Sequence, residues 1–546
     1  MAPRRRAGRG PGGRPVSADD RPSRWDGPAP RVEPEWVLRR LNAPSRLWGA
    51  NGIAFGPDGR LYVAQYLAGM ISALDPASGD IEPVVPPGGP VRSPDDLAFA
   101  ADGSMYVADL VPGRVWRRDP AGGLTLVTAD VPVVNGITCV GDRLFVNEMR
   151  PDGRLLEVGP ADGGQRLLAG GLALGNAMQC GPDGLLYYPH MVTGEVWRVS
   201  PDGGAAERVA QDLPAPVAVR FDRAGVLYVL SCGPGGLVFR VDLAAGGDRT
   251  ELRTGLTGLD NAAFDEENRM YVSCFTDGGV VELSPDGRVR EIVRPGLAGP
   301  FGVAVGPNGT VHAADHYRVV RPGPEEHAPP VTDGRVHFAH AVAADADGSL
   351  HLTSQYGQVT SWDPATGRGT ERARGLSRPA GVALRADGAL VVAESGAGRV
   401  LLLPADGDPR TLAAGLGRPL DVAFDAAGGL LVSDADRGTV LRLAAAGDDP
   451  QEDGYGPPEV VAAGLEAPEG IAVRDSELYV VERGAHRLTV MDLGTGVRRT
   501  VVEELPLAPP HDGELPELPL HTHSMPGVPR PFAGVAAAPD GSVVLA

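Results

Sequence analysis

Lysine is absent from all 546 residues, and every one of the 50 basic side chains is arginine. That absence excludes a lysine Schiff base and a P-loop lysine. No stretch approaches the 18 or so consecutive apolar residues of a membrane-spanning helix. The opening MAPRRRAGRGPGGRP carries charge without an apolar run behind it, so no secretory signal is expected. Aromatics are only 5% of the chain, which leaves the core to Val, Leu and Ala. G-x-S-x-G, H-E-x-x-H and Walker A motifs are missing, and with them the sequence support for a serine hydrolase elbow, a zincin or a P-loop enzyme. Cys139, Cys180, Cys232 and Cys274 include no C-x-x-C pair. All four fall in strand-like runs and read as buried free thiols in a reducing, cytoplasmic compartment.

What is abundant is glycine (76) and proline (52), alongside 42% hydrophobic residues. Disordered chains have low hydrophobicity, so this mixture predicts many short strands joined by tight turns. The formal charge of −20 disfavours nucleic acid and anionic membranes as partners and suits a protein that handles cations or small molecules, with a protein partner left open. Residues 1–34, rich in Arg, Pro and Gly, read as a disordered tail. Gly8-x-Gly10-x-x-Gly13 within it matches the dinucleotide fingerprint only formally, because no strand precedes it and Pro11 interrupts it.

From residue 50 the chain repeats itself. ANGIAFGPDGRLYVAQYLAGMISALDP is followed by PDDLAFAADGSMYVADLVPGRVWRRDP from Pro94 and GNAMQCGPDGLLYYPHMVTGEVWRVSP from Gly175. Each copy has four short β-type runs separated by D-G or similar turns, the pattern of a propeller blade. The residue before the G-I-A-F-like run fixes the register. It falls at Asn51, Asp95, Asn135, Asn176, Val217, Asp260, Phe301, His340, Ala380, Leu420, Glu469 and Ala533. The expected fold is all-β: two tandem six-bladed β-propellers of four-stranded antiparallel blades, over 35–298 and 299–546. A seven-plus-five division is the alternative. The final copy supplies two strands only, and Trp36–Leu41 resembles a fourth strand able to complete it or to pack elsewhere. A Pro- and His-rich insertion at about 502–530 reads as a loop over one face, in a position to gate a site.

In a propeller the innermost strands line the central channel, so the register residues converge. The first six are mostly carboxylates and carboxamides, whereas the last six are mostly apolar. Asn51, Asp95, Asn135, Asn176 and Asp260 form a hard oxygen-donor set suited to calcium, magnesium or manganese rather than zinc. The competing explanation is turn chemistry, since Asn and Asp before Gly favour turns. A second ring is expected near the end of each second strand: Gln65, Asp109, Glu148, His190, Ser231 and Cys274. His190 is the one histidine of the first half and suits proton transfer. His312, His316, His337, His340 and His351, with His511, His521 and His523 in the insertion, fit no standard zinc spacing.

The repeat x-N-G-I-x-x-x-P-D-G-x-L-Y-V resembles the regucalcin/gluconolactonase-like propellers and the related NHL-type repeats, over nearly the whole chain after residue 35. The resemblance implies one divalent cation on the channel axis, held by residues at the starts of inner strands, and hydrolysis of lactones or related esters. Relatives on similar propellers include lyases and condensing enzymes. Carried over, the cation ligands are Asn51, Asp95, Asn135, Asn176 and Asp260, with Asp95 or Asp260 as base and His190 assisting. The sequence departs from that family in having no glutamate in the first ring and in placing Val217 among the polar positions. A lyase, isomerase or cyclase for a specialised metabolite, and a non-catalytic binding scaffold, are the alternatives on the same fold.

Overall fold

In a computed structural model of the chain, residues 29–42, 46–232, 235–297, 299–316, 318–322, 338–445, 455–507 and 532–546 are described. The chain forms two six-bladed β-propellers of antiparallel sheets. The first is built on inner strands Ala50–Phe55, Pro94–Phe99, Val134–Val140, Gln179–Cys180, Pro216–Phe221 and Leu259–Phe264. Each begins a four-stranded sheet, each packs against the next, and the sixth closes on the first. The second uses Val303–Val305, Ala339–Ala344, Pro379–Leu384, Pro419–Phe424, Pro468–Arg474 and Val535–Ala537, and the last closes on the first in the same way.

Burial follows the order of strands. Second strands such as Leu61–Gln65 and Met105–Asp109 are buried along their whole length, sandwiched between neighbouring blades. Outer strands such as Asp248–Arg253 face water. The blades are sealed by recurring aromatic pairs in which a second-strand tyrosine meets a phenylalanine at the end of a neighbouring inner strand. Tyr62 meets Phe99 at 4.9 Å, Tyr187 meets Phe221 at 4.9 Å, and Tyr271 meets Phe55 at 5.4 Å across the closure. All three are edge-on, the geometry that aligns ring edges with π-faces.

Glycine after the register residue has a different cause from turn chemistry. Gly52 and Gly136 lie within inner strands and have no left-handed φ. A Cβ on Gly52 would lie 2.5 Å from Asp96 Cα, and one on Gly136 only 2.2 Å from Asn176 O. The inner strands simply approach too closely for a side chain there. Asn51 and Asn135, which precede these glycines, are therefore not explained as turn formers.

Several expectations need correction. Trp36–Leu41 is not a strand. Arg31–Val32, placed in the tail by sequence, pairs with Glu503–Val502 at the outer edge of the 468–503 blade, and Trp36 packs edge-on to Tyr479 at 6.1 Å. Aromatic packing, rather than a backbone ladder, holds Trp36. The blade from Val303 has three described strands, ending at Val320, and the final blade has two. The strand Arg498–Glu503 runs into the start of the expected insertion; residues 508–531 lie outside the described ones, as do 1–28 of the expected tail. Of the four free cysteines only Cys274 is fully buried, and Cys232 follows its strand rather than lying in it. No helix among the described residues is long and apolar enough to cross a membrane.

Candidate functional site: an acidic ring in the first channel

Five of the first six register residues, Asn51, Asp95, Asn135, Val217 and Asp260, are the second residue of their inner strand. Asn176 precedes the short strand Gln179–Cys180. The pairing of inner to second strand slips at this point, for example between Ala50 and Ile53 and between Pro94 and Asp96. Such a bulge breaks the strict alternation of faces. Two consecutive side chains can then both serve the channel, as Asp95 and Asp96 do.

All five polar register residues are buried. Asn51 Nδ2 donates to Asp95 Oδ2 at 3.4 Å. Asn135 and Asn176 turn their amides toward the Met149 thioether, with Nδ2 to Sδ distances of 3.0 and 3.4 Å. Asn176 Oδ1 accepts from the Ala177 amide at 2.7 Å. Asn135 Oδ1 is buried and has no hydrogen-bond partner among the described residues. An orphaned buried oxygen costs on the order of 1–3 kcal/mol, so it marks a place where a donor or a cation belongs.

Electrostatics sharpen the picture. Burial, then the neighbouring Asp260 and Asp96 charges, holds the Asp95 carboxyl well above the usual carboxylate range, with the Asn135 amide opposing. Burial and the Asp96 charge push Asp260 up to about 8, with Arg220 opposing. Asp96 was not foreseen as a site residue. It accepts from Leu97 N at 2.9 Å and from Asn261 Nδ2 at 3.0 Å, and its Oδ2 lies 3.6 Å from Arg220 Nη2. Burial raises its pKa and Arg220 counters. Asp96 and Asp260 thus share one guanidinium, with the Asp95 charge beside them.

The donor chemistry fits a hard cation: two carboxylates, with an unsatisfied amide oxygen beside them. No group of three or more His, Cys, Asp or Glu side chains is placed to hold a metal ion among the described residues. A cation here would therefore rest on Asp95, Asp260 and amide oxygens.

The second expected ring is a set of clamps rather than a channel lining. Asp109 accepts from Arg92 N and Ser93 N, at 3.1 and 2.7 Å, and from Trp116 Nε1 at 3.1 Å. Glu148 pairs with Arg150 and Arg154. Gln65 Oε1 accepts from Trp48 N at 3.1 Å, and the Ser231 hydroxyl donates to Pro214 O. Each pins the segment entering or leaving its own blade. His190 follows suit: its Nδ1 accepts from Ala173 N at 3.5 Å, and its ring stacks on Trp197 at 5.6 Å beside Tyr188. Burial lowers its pKa, with Glu195 opposing, and Nε2 has no hydrogen-bond partner among the described residues. None of these neighbours belongs to the acidic ring.

The residue after each second strand forms a collar over the ring. Tyr66 N donates to Gly49 O at 3.0 Å, Met149 N to Val133 O at 2.9 Å, and Phe275 N to Gly258 O at 2.9 Å. Tyr66, Leu110, Met149 and Met191 pack there in one apolar cluster with Val217. The accepting position is left-handed in several blades: φ is 53° at Val133, 59° at Leu174 and 43° at Ala215. Strained backbone in non-glycine residues is costly and gathers at functional rims.

In the second propeller Phe301, Ala380, Leu420 and Phe532 share an apolar cluster. His340 lies 5.4 Å from Phe301 and 5.2 Å from Phe532. Glu469 is fully engaged, by Arg483 Nη1 at 2.9 Å and Ala533 N at 2.8 Å. His351 lies apart from this ring, its Nδ1 2.8 Å from Ser361 Oγ. His337, His511, His521 and His523 lie outside the described residues.

No protein-family model matches the sequence, and no curated protein does. Among solved structures, a streptogramin B lyase is similar at 19% identity and TM-score 0.39, spanning 51% of this chain and 94% of that one. A calcium-binding regucalcin from Agrobacterium tumefaciens is similar at 21% identity and TM-score 0.36, spanning 42% and 82%. A gluconolactonase from Xanthomonas campestris is similar at 15% identity and TM-score 0.37, spanning 46% and 94%.

Proposed function

We propose that the first propeller, over 35–298, carries a divalent-cation-dependent hydrolase site of lactonase or esterase type for a small molecule, and that the second, over 299–546, supports it. The observation behind this reading is the orphaned Asn135 Oδ1 beside two mutually repelling carboxyls, Asp95 and Asp260. Asp95, Asp260 and Asn135 would hold the cation, with Asn51 and Asn176 completing the ring; calcium, magnesium or manganese suits these oxygens better than zinc. Such a cation, when bound, polarises a carbonyl and acidifies water.

The chain's own groups supply the rest. Repulsion between Asp95 and Asp260 makes them titrate as a pair, so one member is ionised before the other. An ionised carboxylate, Asp95 or Asp260, accepts a proton from the attacking water and passes it to the leaving oxygen. Asn51 Nδ2 orients Asp95, and the collar of Tyr66, Leu110, Met149 and Met191 excludes bulk water. A panel of lactones and aryl esters, assayed with and without chelator, tests this. Cation-dependent turnover lost in Asp260→Asn is expected, and full turnover under chelation contradicts it.

Arg220 favours a second reading. Its fixed guanidinium already supplies positive charge beside Asp96 and the ring. A cation-independent lyase, isomerase or cyclase could use the Asp95–Asp260 pair for proton transfer alone.

A further inference from the structure

Both ends of the first channel are closed by packed side chains. The floor is Arg220. Its Nε donates to Ala262 O at 3.0 Å and its Nη1 to Met178 O and Val219 O, at 3.0 and 2.9 Å. Nη2 faces Asp96 Oδ2. One side chain thereby ties the second, fourth, fifth and sixth blades across the axis, beneath the ring.

The opposite end is the collar, and it does not stand alone. Phe275 and Cys232, its members from the sixth and fifth blades, pack against Phe338 and Tyr356 of the second propeller. Phe338 precedes His340 by two residues, as Gly49 precedes Asn51. Gln355 N donates to Phe338 O at 3.3 Å, the counterpart of Tyr66 N to Gly49 O. Phe338 and Tyr356 therefore belong to the matching rim of the second propeller, and at this point the two rims meet. Phe338 is left-handed at φ 49°, and its ring is edge-on to Tyr356 at 5.1 Å. The Tyr66 hydroxyl is pushed up by burial, then by the Asp95 charge, then by Tyr356.

A compact junction lies beside the rims. Arg318 Nη2 pairs with Asp315 Oδ2 at 3.0 Å and also donates to Gly296 O. Gly299 N donates to Asp315 Oδ1 at 2.9 Å, and Gly296 N to Asp277 O at 2.9 Å. Arg318 thus fastens the first blade of the second propeller to the chain leaving the first.

We propose that the second propeller is a lid on the first: a ligand reaches Asp95, Asp260 and Asn135 when Phe338 and Tyr356 part from Phe275 and Cys232, and Arg318 is the latch that keeps them together. This rests on the reading of the ring as a ligand site. Substrates are then limited by the gap between two rims rather than by the width of one channel. The apolar collar favours a ligand that presents a carbonyl to the ring and an apolar body to the rim.

The test uses the full chain with terbium(III) alone as probe, read by luminescence. Equilibrium loading reports whether the ring holds a cation, and stopped-flow entry reports the lid. In Phe338→Ala and in Arg318→Met, which touches neither ring nor collar, entry at least tenfold faster with unchanged stoichiometry is expected. Unchanged entry rates in both variants overturn the lid while leaving the ring as a cation site. If the wild-type chain takes up no terbium, the cation reading fails by itself, and maleimide labelling of Cys232 decides the lid: labelling at least tenfold faster in Arg318→Met supports it, and equal rates overturn it.

Discussion

Asp96 on the second blade and Arg220 on the fifth meet across the first channel, Oδ2 to Nη2 at 3.6 Å, in a setting where both side chains are buried. Removing one partner of a buried pair leaves an uncompensated charge, which costs about 3–5 kcal/mol. Arg220→Met is expected to destabilise the chain by about that amount in urea unfolding. Adding Asp96→Asn to it should recover part of the loss, because the stranded carboxylate is gone. Equal stability of single and double variants would show that the backbone bonds of Arg220, not the pair, carry its weight.

The Asp260 carboxyl is raised to about 8 in the folded state, above its value in an unfolded chain of about 3.9. The folded state therefore binds the proton more tightly. Its contribution to stability is complete below pH ~4 and is lost as pH rises through about 8. Cation-free protein should lose stability across this window, and Asp260→Asn should flatten that slope. Chemical unfolding at pH 5, 7 and 9 reads the difference. A divalent cation, which favours the ionised form, should bind more tightly as pH rises toward 8.

Ala215 holds φ at 43° on the rim of the fifth blade and is only half-buried. A left-handed non-glycine residue costs about 1–2 kcal/mol, against about 0.5–1 kcal/mol of extra chain entropy for glycine. Ala215→Gly is expected to stabilise by about 0.5–1 kcal/mol, visible as a melting temperature about 2 °C higher.

Gly136 behaves in the opposite sense. Its missing Cβ leaves room for Asn176 O, which would lie 2.2 Å away. The obstacle is backbone of the next blade, so it cannot turn aside. Gly136→Ala is expected to cost about 3 kcal/mol or more in urea unfolding and to widen the ring between Asn135 and Asn176.

The repeat was legible because its signal is periodic: D-G turns and alternating strands recur every forty or so residues, and nine of the twelve register residues fall within an inner strand. Convergence of Asn51, Asp95, Asn135, Asn176 and Asp260 followed from that register alone. Asp96, Asn261 and Arg220 did not, because strand alternation points the residue after Asp95 away from the channel, and only the bulge at the register position turns it back. The apparent ring through Asp109, Glu148 and His190 was misread for a related reason. Position along a strand is visible in sequence, whereas the loop amide each side chain clamps, such as Ser93 N for Asp109, comes from a distant part of the repeat. The approach of the two rims at Phe275 and Phe338 leaves no periodic trace at all.

The central claim is that the first channel is a cation-dependent acid–base site. Its most direct test is elemental analysis of purified protein together with calcium, manganese and zinc titrations of the wild-type chain and of the Asp95→Ala/Asp260→Ala double variant. About one calcium or manganese per chain, with zinc weaker, and no uptake in the double variant, is the expected result. No uptake by the wild-type chain, or equal uptake by the double variant, would contradict it.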